Sequence, residues 1–167
     1  MKKIIGDSKG FSLIELLIVI AILGVIAVIA ISMFTNTLNN SRKKSDEQQD
    51  LIIEKAVLSY MLQSNDYKLE NMKYDGSIHS MNGQPSTELI YALQNTIICT
   101  IDGEENKILP ILNPKSSSTP STSEYAPLWN TSKGGKYVGY KIEVDSENIR
   151  CNVNPVTSSS DAYVYVY

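Results

Sequence analysis

From Leu16 to Phe34 the chain reads LLIVIAILGVIAVIAISMF, a run without a single charge and with Ser32 as its only hydroxyl. A helix rises about 1.5 Å per residue and a bilayer core is roughly 30 Å thick, so about 20 such residues suffice to cross it. The run and the residues just before it reach that length. A segment this apolar has to be covered, either by lipid or by other apolar helices. Glu15 stands at its edge, within KGFSLIELL (Lys9 to Leu17). An ionisable residue in hydrocarbon costs several kcal/mol, roughly, and therefore requires a named partner and a function.

The chain has 167 residues. With the first 34 or so given to a leader and the apolar run, the remainder suffices for one core and so for one further domain. The net charge is -3. Because the leader MKKIIGDSKG is basic, with Lys2, Lys3 and Lys9 against Asp7, the rest is more acidic still, which argues against a general phosphate-binding surface. The leader also differs from a secretory signal. There an apolar region precedes the cleavage site and is discarded, whereas here the apolar region follows Gly10 and a cut at that glycine would retain it. Lysines before the run and Arg42, Lys43 and Lys44 after it balance one another, so charge bias leaves the membrane topology open.

The string GFSLIELLIVIAILGVIAVIAI, from Gly10 through Ile31, resembles the N-terminal signature of type IV pilins and the related pseudopilins. Several features coincide: a basic leader, Gly-Phe, SLIEL and an uncharged tail. The resemblance implies cleavage after Gly10 by a membrane aspartyl prepilin peptidase, which then methylates Phe11 as the new N-terminus. It implies a leader on the cytoplasmic side, an external C-terminal domain, and insertion through an inner-membrane assembly platform into a helical filament of pilin copies. Many major pilins carry proline where this chain has Ser32. Gly24, which loosens a helix by about 1 kcal/mol relative to alanine, is present.

Cleavage at Gly10 gives Glu15 its partner. The Phe11 amine stays cationic after methylation, and Glu15 of an incoming subunit can pair with it on a subunit already in place. Either charge left alone in an apolar bundle is expensive, so the pair selects one axial stagger and Glu15 acts as a register and assembly device. The bland alternative is a solvated glutamate at the headgroup boundary.

Beyond the tail, Thr35 to about Ser64 contains neither proline nor glycine and reads as continuing helix. Leu38, Ile52, Ile53, Ala56, Val57, Tyr60 and Met61 recur at spacings of three and four and form an apolar stripe. The first half, NNSRKKSDEQQD, is polar all round. Asp46, Glu47 and Asp50 follow Arg42, Lys43 and Lys44 at helical spacings, which predicts local ion pairs, with a basic lipid-facing collar as the other reading. After a loop over 64–87 the pattern changes to alternation. Ile97, Cys99 and Ile101 share one strand face; Val138, Tyr140, Ile142 and Val144 share another; Ile149, Cys151 and Val153 a third. Asp102-Gly103 and Asp145-Ser146-Glu147 supply turns, predicting an antiparallel meander. In the closing DAYVYVY, Tyr163, Tyr165 and Tyr167 fall on one side and Val164 and Val166 on the other, which suits sheet packing.

Cys99 and Cys151 stand in no ligand spacing. Outside the cell they either form a disulfide or remain two small buried thiols. The serine- and threonine-rich stretch from Pro114 to Glu124 reads as a solvated connector. The lone histidine, His79, has no metal-ligand pattern around it, and no GxSxG, P-loop or HExxH motif is present. No catalytic residue, metal site or cofactor is assigned. KGGKYVGYK, with Lys133, Lys136, Lys141, Tyr137 and Tyr140, is the basic-aromatic stretch that could serve DNA, against the simpler reading of a strand with solvated lysines.

The expected fold is α+β: a leader over 1–10, a transmembrane or filament-core helix over 11–34, and a globular domain over 35–167 in which the long helix packs on an antiparallel sheet. The expected function is a structural subunit of an extracellular type IV pilus serving adhesion, motility or aggregation. The alternatives are a minor pilin or type II secretion pseudopilin with a binding or piston role, and a membrane-tethered enzyme. Expected partners are further pilin copies, the prepilin peptidase and methyltransferase, the inner-membrane assembly platform and the membrane before assembly, with DNA or a host surface as a further candidate.

Overall fold

A computed structural model describes residues 12–101, 103–114 and 119–167. The predicted cleavage and methylation positions, Gly10 and Phe11, lie outside the described residues. One helix, α1, runs Leu13–Ser64. The chain divides into two compact units between Asn40 and Ser41, somewhat beyond the end of the uncharged run.

In the first unit every large apolar side chain from Leu13 to Phe34 is exposed, and none of the apolar window is buried. The helix passes Gly24 and Ser32 without a break. Ser32, Thr35 and Thr37 donate their hydroxyls to the carbonyls four residues back, Val28, Ile31 and Met33, at 3.2, 3.0 and 2.9 Å. That removes the need of these polar groups for other partners in an apolar surrounding.

The second unit is built on the remaining turns of α1. Ile53, Ala56, Val57, Tyr60 and Met61 are buried as the spacing predicts, but Ile52 is 47% and Leu38 38% exposed. The buried face also extends backwards through Asp46, Gln49 and Asp50, so the segment read as polar all round has an inner side. At the C-terminus Asn65 takes φ 57, the left-handed conformation that commonly closes a helix. Asp66 then gathers the loop: it accepts hydrogen bonds from the amides of Glu70 and Asn71 at 3.0 and 2.8 Å and from the Tyr60 hydroxyl at 2.9 Å.

Among the described residues seven strands follow in two sheets: β1 (Met72–Lys73), β2 (Ile78–His79), β3 (Ile97–Ile101), β4 (Glu104–Ile108), β5 (Gly139–Asp145), β6 (Arg150–Val156) and β7 (Val164–Val166). A short helix, α2 (Ser86–Ala92), starts after Pro85. One sheet has the order β2-β1-β3-β4 with all pairs antiparallel; the other has the order β6-β5-β7. The α+β architecture, a long helix packed with antiparallel sheets, is as the sequence predicts. Three details differ. The sheet is two sheets and not one meander. The residues 64–87 hold β1, β2 and the start of α2. The last strand runs parallel to β5, with Ile142 opposite Val164, whereas β5 and β6 are antiparallel. The chain between β6 and β7 carries the closing strand across to the far side of β5, and a strand that arrives there in the direction of β5 is parallel to it.

Register follows burial. Ile97 and Cys99 on β3, Tyr140, Ile142 and Val144 on β5, Cys151 and Val153 on β6, and Val164 on β7 point into the core. Val138 is 43% exposed, since β5 starts one residue after it. Ile149 takes φ 51 in the β5–β6 turn, where Asp145 Oδ1 accepts from the amides of Glu147 and Asn148 at 3.1 and 2.9 Å. Ile101 pairs with Glu104, so β3 and β4 form a hairpin with Gly103 at φ 85; Asp102, the other residue of the predicted turn, lies outside the described residues.

Candidate functional site

The start of α1 holds Glu15, the charged residue at the edge of the apolar run. Ser12 Oγ accepts the Ile14 amide at 3.3 Å, and Glu15 Oε2 accepts the Ser12 amide at 2.8 Å. This is a capping box: serine at the cap and glutamate three residues on satisfy two of the amides that a helix start leaves unpaired. The carboxylate also lies at the helix end that favours negative charge. Glu15 stands out in the sequence by its charge, whereas Ser12 does not. The signal was present in Ser-Leu-Ile-Glu, a Ser-x-x-Glu ahead of an apolar run.

From Leu13 to Phe34 the exposed apolar side chains circle the helix. A continuous apolar surface of this kind exceeds what a soluble monomer carries and calls for lipid or protein cover.

In the second unit, the predicted ion pairs of the basic-acidic run give way to another arrangement for Asp46. Its carboxylate is buried and accepts two main-chain amides, Leu128 at 2.6 Å and Trp129 at 2.9 Å. Gln49 Nε2 donates to the Tyr125 carbonyl and to the Tyr140 hydroxyl. Lys43 Nζ lies 4.1 Å from the centre of the Trp129 ring, which meets Tyr137 edge-on at 4.9 Å. Arg42 Nη1 donates to the Lys133 carbonyl at 2.8 Å. The helix start of this unit is thus fastened to the segment 127–137. That segment folds back on itself, with the amides of Lys136 and Tyr137 both bonded to the Trp129 carbonyl at 3.1 Å. Gly135 permits it, since a Cβ there would sit 2.1 Å from the Trp129 oxygen. Two stretches read separately in the sequence, the Arg42–Lys44 collar and KGGKYVGYK, meet here. Lys141 is apart from them: it pairs with Glu143 at 2.6 Å and lies over Tyr165. Tyr140 is buried in the core.

Asp50, beside this junction, is buried, and its Oδ1 has no hydrogen-bond partner. Burial foremost, then the negative charges of Asp46 and Glu47, push its carboxyl up to about 7.

Cys99 and Cys151 are both buried free thiols. They lie on β3 and β6, strands of different sheets. Cys99 Sγ contacts the Asn106 carbonyl at 3.7 Å. Burial pushes the Cys151 thiol up to about 12, with Glu54 adding to it, and burial followed by Asp66 raises Cys99. Neither therefore offers a thiolate.

His79 lies on β2, its Nε2 2.9 Å from Asp75 Oδ1 and its ring stacked on Tyr74 at 4.8 Å. The turn through Gly76 brings this carboxylate to the ring. Asp75 is held below the usual carboxylate range, first by the Ser77 amide and then by His79. Among the described residues no three His, Cys, Asp or Glu side chains gather as a metal would need.

Comparison with known proteins bears on the tail first. Residues 6–31 match the family model described as the prokaryotic N-terminal methylation motif. Over 140 residues, 84% of this chain, the sequence is 26% identical to the type IV major fimbrial protein FimA of Dichelobacter nodosus, and the match spans 66% of that protein's length. No solved structure matches with significance.

Proposed function

We propose, from the premise that the methylation motif and the fimbrial relative support membership of the type IV pilin family, that this chain is a structural subunit of an extracellular pilus filament. The observation that carries the proposal is the fully exposed, uncharged helix beginning in a capped glutamate. Before assembly the apolar half of α1 is a single membrane span, with the leader over 1–10 on the cytoplasmic side. Cleavage after Gly10 and methylation of Phe11 by the prepilin peptidase then release the subunit to the assembly platform. In the filament the tails bundle into an apolar core through contacts that repeat without closing, as a heterologous interface does. Glu15 of one subunit pairs with the Phe11 amine of its neighbour and sets the stagger. The resemblance of the chain to a major fimbrial protein favours the bulk subunit over the minor pilin or pseudopilin alternatives.

Surface fibres sheared from cells that express the chain decide the matter. Mass spectrometry of the principal fibre protein is expected to find this sequence starting at a methylated Phe11. Fibres that lack it, or a mature chain retained wholly in the membrane, would reject the structural role.

A further inference from the structure

The junction between the first turns of the second unit and the segment 127–137 concentrates positive charge around two aromatic rings. Lys44, Lys133 and Lys136 are exposed, and Lys43 is half-buried over Trp129. The acidic groups that face the same place are largely accounted for: Asp46 is occupied by two amides, Asp50 is buried, and Glu47 is the exposed one. We propose that Lys43, Lys44, Lys133 and Lys136, with Trp129 and Tyr137, form a docking surface for anionic lipid headgroups while the subunit is anchored in the membrane. The proposal rests on the membrane-anchored state put forward above.

Three observations carry it. The first is reach. Between Phe34, where the uncharged run ends, and Arg42, the chain spans about 12 Å as helix and at most about 28 Å extended. The connection is short enough for the lysines to reach the headgroups. The second is composition, because half-buried Trp and Tyr rings with lysines beside them are the side chains that settle at a membrane interface. The third concerns the competing polyanion. Single-stranded nucleic acid requires aromatic faces open to stacking. Here one face of Trp129 lies under the Lys43 ammonium, and Tyr137 packs edge-on against the ring. A net charge of -3 for the chain also disfavours a free polyanion in solution, whereas a tethered surface needs only the local cluster.

Trp129 is the only tryptophan in the sequence, so its fluorescence reports on this place alone. The full chain is reconstituted in vesicles of phosphatidylglycerol or of phosphatidylcholine, each containing the same headgroup spin label. Flotation verifies that the tail is inserted, and quenching of Trp129 is then compared. Stronger quenching is expected in phosphatidylglycerol, reversed by high salt. The double substitution Lys133→Ala, Lys136→Ala is expected to reduce the docked fraction roughly tenfold or more, since each lysine near an anionic surface contributes about fivefold. Both side chains are exposed, and an unchanged melting temperature verifies the fold of the variant. Equal quenching in the two lipids, none in either, or lipid-selective quenching that survives the double substitution overturns the surface. A response of Trp129 to DNA and not to phosphatidylglycerol overturns it in favour of nucleic acid. Failure to float with either vesicle rejects the membrane anchor itself, and the docking surface with it.

Discussion

Asp46 and Glu15 use the same chemistry at two places on one helix: each carboxylate accepts backbone amides that would otherwise lack a partner. For Asp46 the amides belong to Leu128 and Trp129, and its side chain is fully buried. Asp46→Ala takes the partner from both part-buried donors, each at a cost of up to about 1–3 kcal/mol. The expected loss of roughly 2–5 kcal/mol appears as a large fall in melting temperature by circular dichroism; a change of a degree or two would refute the anchoring role. Glu15→Leu is of the opposite kind. It removes the most costly residue at the edge of the apolar run, so mature subunit is expected to accumulate in the membrane fraction at least as well as before. Fibres seen by electron microscopy are expected to be few or absent, since no carboxylate remains to offset the neighbouring Phe11 amine or to fix the stagger. Normal fibres from such cells would remove Glu15 from assembly.

At the scale of elements, the segment 127–137 depends on the close approach at Gly135. Gly135→Ala places a methyl group against the Trp129 carbonyl, a backbone atom that cannot turn aside, and is expected to destabilise the unit by more than about 2 kcal/mol, measured by urea denaturation. An unchanged midpoint would mean that the loop has another conformation at little cost. Elements that bury one face were legible in the sequence. The stripe from Ile53 to Met61 and the alternation through β3, β5 and β6 follow from the helix and strand periods, and each survives in the burial pattern. What escaped was specified by partners distant in the chain. Asp46, Gln49 and Asp50 look like a solvated run until the loop from Tyr125 to Trp129 supplies amides and carbonyls for the first two. The strand β4, Glu104–Ile108, is mostly charged and polar because it lies at a sheet edge with its first four residues exposed. Apolar alternation has no reason to mark such a strand, and charge there guards the open edge. By contrast α2 has a local signal, apolar Leu89, Ile90 and Leu93 behind Pro85, to which the sequence reading assigns no element beyond the loop over 64–87.

On the scale of the whole molecule, Asp50 gives stability a distinctive pH dependence. Its folded carboxyl titrates at about 7 against 3.8 for the free group, so between these values the folded chain binds a proton that the unfolded chain has released. The contribution of the neutral group is complete below about pH 4 and is lost as pH rises towards 7. Asp50→Asn is expected to flatten this part of a melting-temperature profile; an identical slope in the variant would assign the dependence elsewhere. The cysteines supply a second test across both sheets. The native protein is expected to leave thiol reagents unreacted near neutral pH, the denatured protein to titrate both Cys99 and Cys151, and reductant to leave the melting temperature unchanged. A reductant-sensitive melt would restore the bridge.

The hydrogen bond between Ser12 and Glu15 has a consequence for how the proposed polymer grows. The carboxylate of a solitary subunit already has a donor at Oε2, so the amine of a neighbour would meet a charge already held in place and partly compensated. A pairing of this sort discriminates sharply between positions while adding little to the net driving force, which would then come from the apolar surfaces.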